Sequence, residues 1–518
     1  MIIIYKLHMM KTTFSVLFLI CLLIFFSCKK EDHILNSSSN LSLSFSKDTL
    51  LFDTVFTTVG SATRSFKVYN NSNEDIILNS ISLARTESPF RINVDGESGN
   101  TVNDIFIRAN DSIYIFSEVT IDPNQAINEL GQSLHLIEQD SIIFNYNNQI
   151  QDIDLVAWGI DANFYCGFPD YEKYQSEFLD SIYNEEYDDY YYYYNIKTDT
   201  YWNNDKPHVI YGDIWVTNGA KLTINEGANL YLHNNATLII GDPRNDNITL
   251  GPGTLEINGT KDNLVTIQGD RLEEYYQQIS GQWDRIWLTS RSLDNVVEYA
   301  FIKNGTIGLH IDSVTNQNPS LHIKNSIINN MSGLGILGQG AHIEGENLLI
   351  SNAGQYALAL NIGGEYDFKH CTFANYYNLT SRQTPSIFIN NYYEDINGQI
   401  QYRELLKANF GNCIIYGDNE NEILFDALDG SSLNYLFDHC LVKMDLSVYD
   451  PENDNLFQNT MINEDPLFLD KSIWDFRLDS LSPALNYGKD EIANLVPYDL
   501  DGNYRLNNPD LGCFERVD

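Results

Sequence analysis

One seven-residue phrase recurs through the second half of the chain. It reads EYAFIKN at 298, KNSIINN at 324, ENLLISN at 346, KHCTFAN at 369, GNCIIYG at 411 and DHCLVKM at 438. The spacings are 26, 22, 23, 42 and 27 residues. A strand-length phrase returning every ~20 to 30 residues predicts a solenoid, because each repeat can bury its apolar face only against its neighbours. A second run keeps step with the first: IGLHI at 307, LGILG at 334 and YALAL at 356. The 42-residue interval reads as one coil plus an insertion over 376–410.

Stacking the phrases shows which way each column faces. The third column is Ala300, Ser326, Leu348, Cys371, Cys413 and Cys440; the fifth is Ile302, Ile328, Ile350, Phe373, Ile415 and Val442. Period-2 geometry puts both on one face, and small-then-aliphatic suits a narrow interior. The opposite register would bury Tyr299, Asn325, Asn347, His370, Asn412 and His439, and unpaired buried polar groups cost several kcal/mol each. The cysteines are therefore read as core residues and His370 and His439 as outward-facing. That separates each histidine from the thiol beside it, so neither a zinc site nor a thiol–base pair is expected. The seventh column, Asn304, Asn330, Asn352 and Asn375, reads as an asparagine ladder at one corner, where the left-handed conformation is tolerated.

Such a ladder, with opening phrases LTINEGANLYL (222–232) and GTLEINGTKDNLVTIQGD (253–270), resembles the right-handed parallel β-helix of the pectate-lyase-like fold. This is expected over 209–460. The tail, DPLFLD, DFRLDSLSPALNYG, DLDGN and PDLGCFE, resembles the C-terminal segment of the choice-of-anchor class of bacterial β-helix proteins, here 461–518. Asp499, Asp501 and Asn503 evoke a calcium loop, but the required glutamate is missing and the motif reads as a structural turn.

Upstream, alternating runs such as SFKVYNN, IILNSISL and SIYIFSEVTI recur at β-sandwich spacing over 41–160, and the stretch from Leu50 resembles immunoglobulin-like surface modules. Between the domains, the acidic tyrosine-rich stretch 161–208, with YNEEYDDYYYYYN at 183–195, reads as a linker. The chain is thus expected to be all-β, an immunoglobulin-like sandwich followed by the β-helix. At the front, the apolar run Phe14–Phe26 is too short for a ~20-residue span and ends on Ser27-Cys28. It resembles a lipoprotein signal over 1–27, with Cys28 lipidated and 28–40 a tether. KKED after the cysteine resembles the tag of Bacteroidetes-type lipoproteins at the outer face of the outer membrane.

A net charge of -40 excludes nucleic acid as partner, since phosphate contacts need clustered Lys and Arg. It suits divalent cations, yet no ligand spacing supports calcium and no cofactor or metal is expected. The fourth column, Phe301, Ile327, Leu349, Thr372, Ile414 and Leu441, forms an outward apolar stripe where many β-helix enzymes place their site, with no recurring acid pair. The preferred reading is a non-catalytic module for an extracellular glycan or surface protein. Its candidate ligand-binding residues are Ile327, Leu349, Tyr392 and Tyr393, and the insertion, through Phe388, Ile389, Tyr392 and Tyr393, is the nearest candidate to cover the stripe. The alternative is a polysaccharide lyase or glycoside hydrolase.

Overall fold

A computed structural model describes residues 42–57, 59–122, 135–168, 179–184, 188–244, 250–313, 319–451, 455–505 and 507–517. Cys28, the signal segment and the tether lie outside the described residues. Two compact units result, the first closing at Gly159 and the second running from Ile160.

The first unit holds two five-stranded sheets, and every pairing with a stated register is antiparallel. Alternation does the sorting. Phe66, Val68, Ile113 and Ile115 of one sheet meet Phe52, Ile76, Ile142 and Phe144 of the other in a single core. Lys67 and Tyr114, in register on the outer face, pair as cation and ring at 4.7 Å.

The second unit is built from three sheets of 11, 10 and 10 strands, here sheets 1, 2 and 3, in which the pairings are parallel except that Leu179–Asn184 runs antiparallel at the edge of sheet 2. The chain visits them in rotation. Ile327–Met331 lies in sheet 1, Leu334–Gln339 in sheet 2, His342–Glu346 in sheet 3, and Leu349–Ala353 returns to sheet 1 beside the start. The arrangement is consistent with a β-helix. It begins earlier than expected: 161–208 is no linker, because Asn163–Cys166, Asp189–Ile196 and Thr200–Trp202 pair into sheets 1, 2 and 3. The tyrosine run hides an ordinary strand, with Tyr193 and Tyr194 buried on its opposite faces.

Third- and fifth-column residues all point inward and are buried, Cys371, Cys413 and Cys440 completely. Sheet 3 adds a stack of interior phenylalanines in consecutive coils, Phe368, Phe410, Phe437 and Phe457, with ring centroids 5.4, 4.7 and 5.0 Å apart.

The second column forms the corner between sheets 3 and 1. Tyr299, Asn325, Asn347, His370, Asn412 and His439 all have φ between 48° and 55°. Asn and His tolerate this region better than most residues, which explains the HC pairs: histidine stands where other coils use asparagine. The seventh column is left-handed only at Asn304, Asn330 and Asn352. Asn330 Nδ2 donates to Asn304 Oδ1 at 2.8 Å, but Asn352 steps aside to Asn329 Oδ1 at 2.9 Å, so the expected ladder is one rung followed by a shift.

The tail from Asn463 folds back along the outside of sheet 1. Phe468, Phe476, Leu478, Leu511 and Phe514 pack with Leu349, Ile414 and Leu441 in one cluster. Polar contacts fasten it to the corner column. Asn347 accepts from Arg505 at 2.9 Å and donates to the Tyr498 carbonyl at 2.6 Å; Asn412 accepts from the Lys489 amide at 2.8 Å. Thr372, the polar member of the stripe, accepts from the Cys513 amide at 3.1 Å. Gly512 is needed here, since at φ +83° an added Cβ would lie 2.5 Å from Thr372 Oγ1. Asp499 is buried and accepts from the Asn503 and Glu515 amides, as a structural turn would.

Ile414 is 1% exposed beneath this cap. Ile414→Ala is expected to cost about 2–5 kcal/mol in chemical denaturation and to open the tail to limited proteolysis. A cost below about 1 kcal/mol would mean the stripe faces water.

Candidate functional site

The residues singled out in the sequence do not converge. Ile327 and Leu349 belong to the cluster under the C-terminal cap, so the stripe is neither open nor covered by the insertion. Of the 376–410 stretch, Tyr376 alone joins that cluster. Ile387–Asn390 is instead a strand of sheet 2, and Tyr392–Glu394 pairs with Ile400–Tyr402 as a hairpin. Tyr392 donates to Asp426 Oδ2 at 2.8 Å, and Arg403 lies 5.9 Å from the Tyr393 ring centre. The two tyrosines half-bury their rings in local contacts and do not belong to the cluster over the stripe.

The HC pairs are structural. Cys371, Cys413 and Cys440 are free and buried, and burial pushes the Cys371 and Cys413 thiols well above their ordinary range. His370 does leave the coil interior but is buried under the cap, and burial holds its ring neutral. With its proton on Nδ1 it donates to the Gly512 carbonyl at 3.3 Å, and Nε2 accepts from Asn412 at 2.9 Å. Among the described residues no group of three His, Cys, Asp or Glu could hold a metal.

The three outer faces of the coils differ. Sheet 1 is capped over the stripe. Sheet 3 carries paired charges, Lys221–Glu256 at 2.7 Å, Lys324–Glu346 at 3.1 Å and Asp367 between Lys369 and Lys407, with the His322 ring 3.1 Å from Glu344. Such exposed pairs form a solvated surface and contribute little individually. Sheet 2 is aromatic and partly open.

On sheet 2 a cleft of about 770 Å³ opens near the start of the coils. Its floor is the outward column Trp215, Ile239 and Trp287, which stand in register on successive strands. Ile182, Tyr183 and Tyr191 form one wall, Pro243 and Arg244 another, and Asp213, Asp284 and Arg285 complete the lining. Tyr193 stacks on Trp215 at 4.0 Å and fixes it from outside, while Tyr191 keeps 39% of its surface exposed. Trp287 stacks on His310 at 5.4 Å and donates its indole N–H to Asp312 at 2.9 Å, which locks the ring plane.

Thr237 bridges the two carboxylates, its amide donating to Asp213 at 3.1 Å and its hydroxyl to Asp284 at 3.2 Å. Tyr191 donates its hydroxyl to Asp213. Burial raises the Asp213 carboxyl above its ordinary value against these hydrogen bonds, and the Asp284 charge adds to the rise. Arg285 holds Asp284 through two bonds at 2.8 and 3.1 Å; Arg244 holds Asp242 likewise at 2.9 and 3.0 Å. Aromatic rings with a few fixed polar groups are the usual lining of a small-molecule or glycan cleft.

Of the lining residues, Tyr183 and Tyr191 fall in the tyrosine run read from the sequence as a linker, and the others were not singled out. A signal existed: GDIWV at 212 and DRIWL at 284 each place aspartate shortly before Ile-Trp, two coils apart on one sheet.

No protein-family model matches the chain, and no curated protein does. Among solved structures it is similar to the catalytic domain of a GH87 alpha-1,3-glucanase in complex with tetrasaccharides, at 10% identity and a TM-score of 0.19, over 77% of this chain and 92% of that one. It is also similar to a family 123 glycoside hydrolase from Clostridium perfringens, at 8% identity and a TM-score of 0.17, over 23% of this chain. A third likeness, to the CooA pilin subunit from enterotoxigenic Escherichia coli, has 10% identity and a TM-score of 0.17, over 23% of this chain and 98% of that one. The chain spans 27% of the length of the family 123 enzyme. At such scores none of these likenesses bears on what this chain does.

The buried thiols make a direct test of the coil register. Cys371, Cys413 and Cys440 are expected to stay unlabelled by a thiol reagent in the native protein and to label fully in denaturant, as read by mass spectrometry. Rapid labelling of the native protein would contradict the inward assignment.

Proposed function

We propose that this is a surface lipoprotein whose coils bind an extracellular glycan in the sheet 2 cleft. The carrying observation is the cleft itself, with Tyr191 and Trp287 beside Asp213 and Asp284 on the one outer face left aromatic and partly open. Ring faces take the C–H faces of sugars, and fixed carboxylates accept from their hydroxyls. In this reading the coils form a right-handed parallel β-helix of the pectate-lyase-like fold, ending in a choice-of-anchor type segment. The first unit is an immunoglobulin-like module. The apolar run before Ser27-Cys28, followed by KKED, supports lipidation at Cys28 and a Bacteroidetes-type outer-membrane location.

A second reading, hydrolysis of the bound glycan, is favoured by one observation. Asp213 and Asp284 line one cleft and share Thr237, with Asp213 raised by burial and Asp284 held by Arg285.

Trp287→Ala is expected to weaken binding to the glycans recognised in a panel by about tenfold or more in protein that circular dichroism shows still folded. Unchanged affinity would remove the cleft from consideration. Reducing ends appearing in the wild-type incubation would favour hydrolysis over binding alone.

Cys28→Ser is expected to yield unlipidated protein released from the membrane fraction. Its full retention there would overturn the anchor.

A further inference from the structure

Building on the reading of the cleft as a glycan site, we infer that it takes a neutral glycan chain laid across the strands, along the axis of the coils, with about one sugar per coil. The same charges select against chains of uronic acids.

Direction follows from the shape of the face. Along the strands of the floor the outward row is short, because Ile214–Val216 has three residues and Thr237–Ile240 and Arg285–Leu288 four each before the chain turns a corner. Across the strands the row continues. Trp215, Ile239 and Trp287 are followed in register by His310, Leu337, Ala359 and Phe388. Parallel strands are spaced by about 4.8 Å, a step close to the advance of one hexose in an extended chain. Trp215, Ile239, His310 and Ala359 of this row are buried, so a glycan on this line sets one sugar opposite each coil and meets chiefly the partly exposed side chains beside them, Tyr191 and Trp287 among them. The cleft draws on four successive parallel strands, those containing Tyr191, Trp215, Thr237 and Arg285, and on the antiparallel edge strand of Ile182 and Tyr183.

Charge selects the sugar class. Both guanidinium groups lining the cleft are already held by two bonds to one carboxylate, Arg285 by Asp284 and Arg244 by Asp242. A uronate would have to displace one of these partners, and it would bring a third carboxylate towards Asp213 and Asp284. Neutral hydroxyls meet no such obstacle and can donate to the remaining lone pairs of both acids.

The test is calorimetric titration of the full chain with cello-, laminari- and malto-oligosaccharides and with oligogalacturonates of matched lengths. At least one neutral series is expected to bind about tenfold or more tighter than oligogalacturonate, with affinity rising from disaccharide to tetrasaccharide and then levelling. Asp284→Asn, which frees Arg285, is expected to narrow the preference by improving oligogalacturonate binding several-fold. Tighter binding of uronates, or affinity independent of length beyond the disaccharide, would overturn the inference. If that binding were still lost in Trp287→Ala, the cleft would stand as a glycan site. Binding of neither series, nor of any glycan in the wider panel, would remove both.

Discussion

From Tyr299 onward each coil turns from sheet 3 into sheet 1 on a single left-handed residue, and the register of those coils hangs on that turn. With φ near +50° at Tyr299, Asn325, Asn347, His370, Asn412 and His439, the next side chain must enter the coil and the one after it must leave. A slip of one residue would exchange Cys371 for Thr372 and Leu348 for Leu349, turning the interior out along a whole strand. The corner side chains need partners of their own, and neighbouring coils provide some: Asn347 donates to Asn325 at 2.9 Å and Asn412 to His370 at 2.9 Å.

Once register is set, the outward residues decide what each face can do. On sheet 1 the fourth column is too apolar to remain in water. Burying an Ile or Leu there contributes roughly 1.5–3 kcal/mol, and the tail is the segment that closes over it. Charge pairs keep sheet 3 solvated. Sheet 2 retains aromatic side chains with carboxylates among them, the combination that suits a ligand with both C–H and O–H surface.

The interior was legible in the sequence because its cause is local. Small and aliphatic residues alternate within each phrase, and the phrases repeat. The cap was not, because the contacts of Leu349 and Ile414 come from residues such as Phe468 and Leu511, far along the chain. Nothing near the stripe distinguishes cover by the tail from cover by the adjacent insertion. The tyrosine run failed for another reason. Alternation is invisible when consecutive residues are identical, so Tyr191 and Tyr193 looked like linker although they stand over Trp215. The cleft needed both pieces, since its wall comes from that run and its floor from three separate coils.

The tail also sets an order in time. Successive coils can zip up one on another as the chain emerges, since each needs only its predecessor. The cap cannot join in that way. Its contacts reach back 141 residues from Cys513 to Thr372 and 158 from Arg505 to Asn347, so they form only after every coil beneath them has been made. Until then the stripe is exposed and prone to self-association. Its burial marks the completion of the coils beneath the tail, and a chain lacking those tail residues would leave the stripe in water.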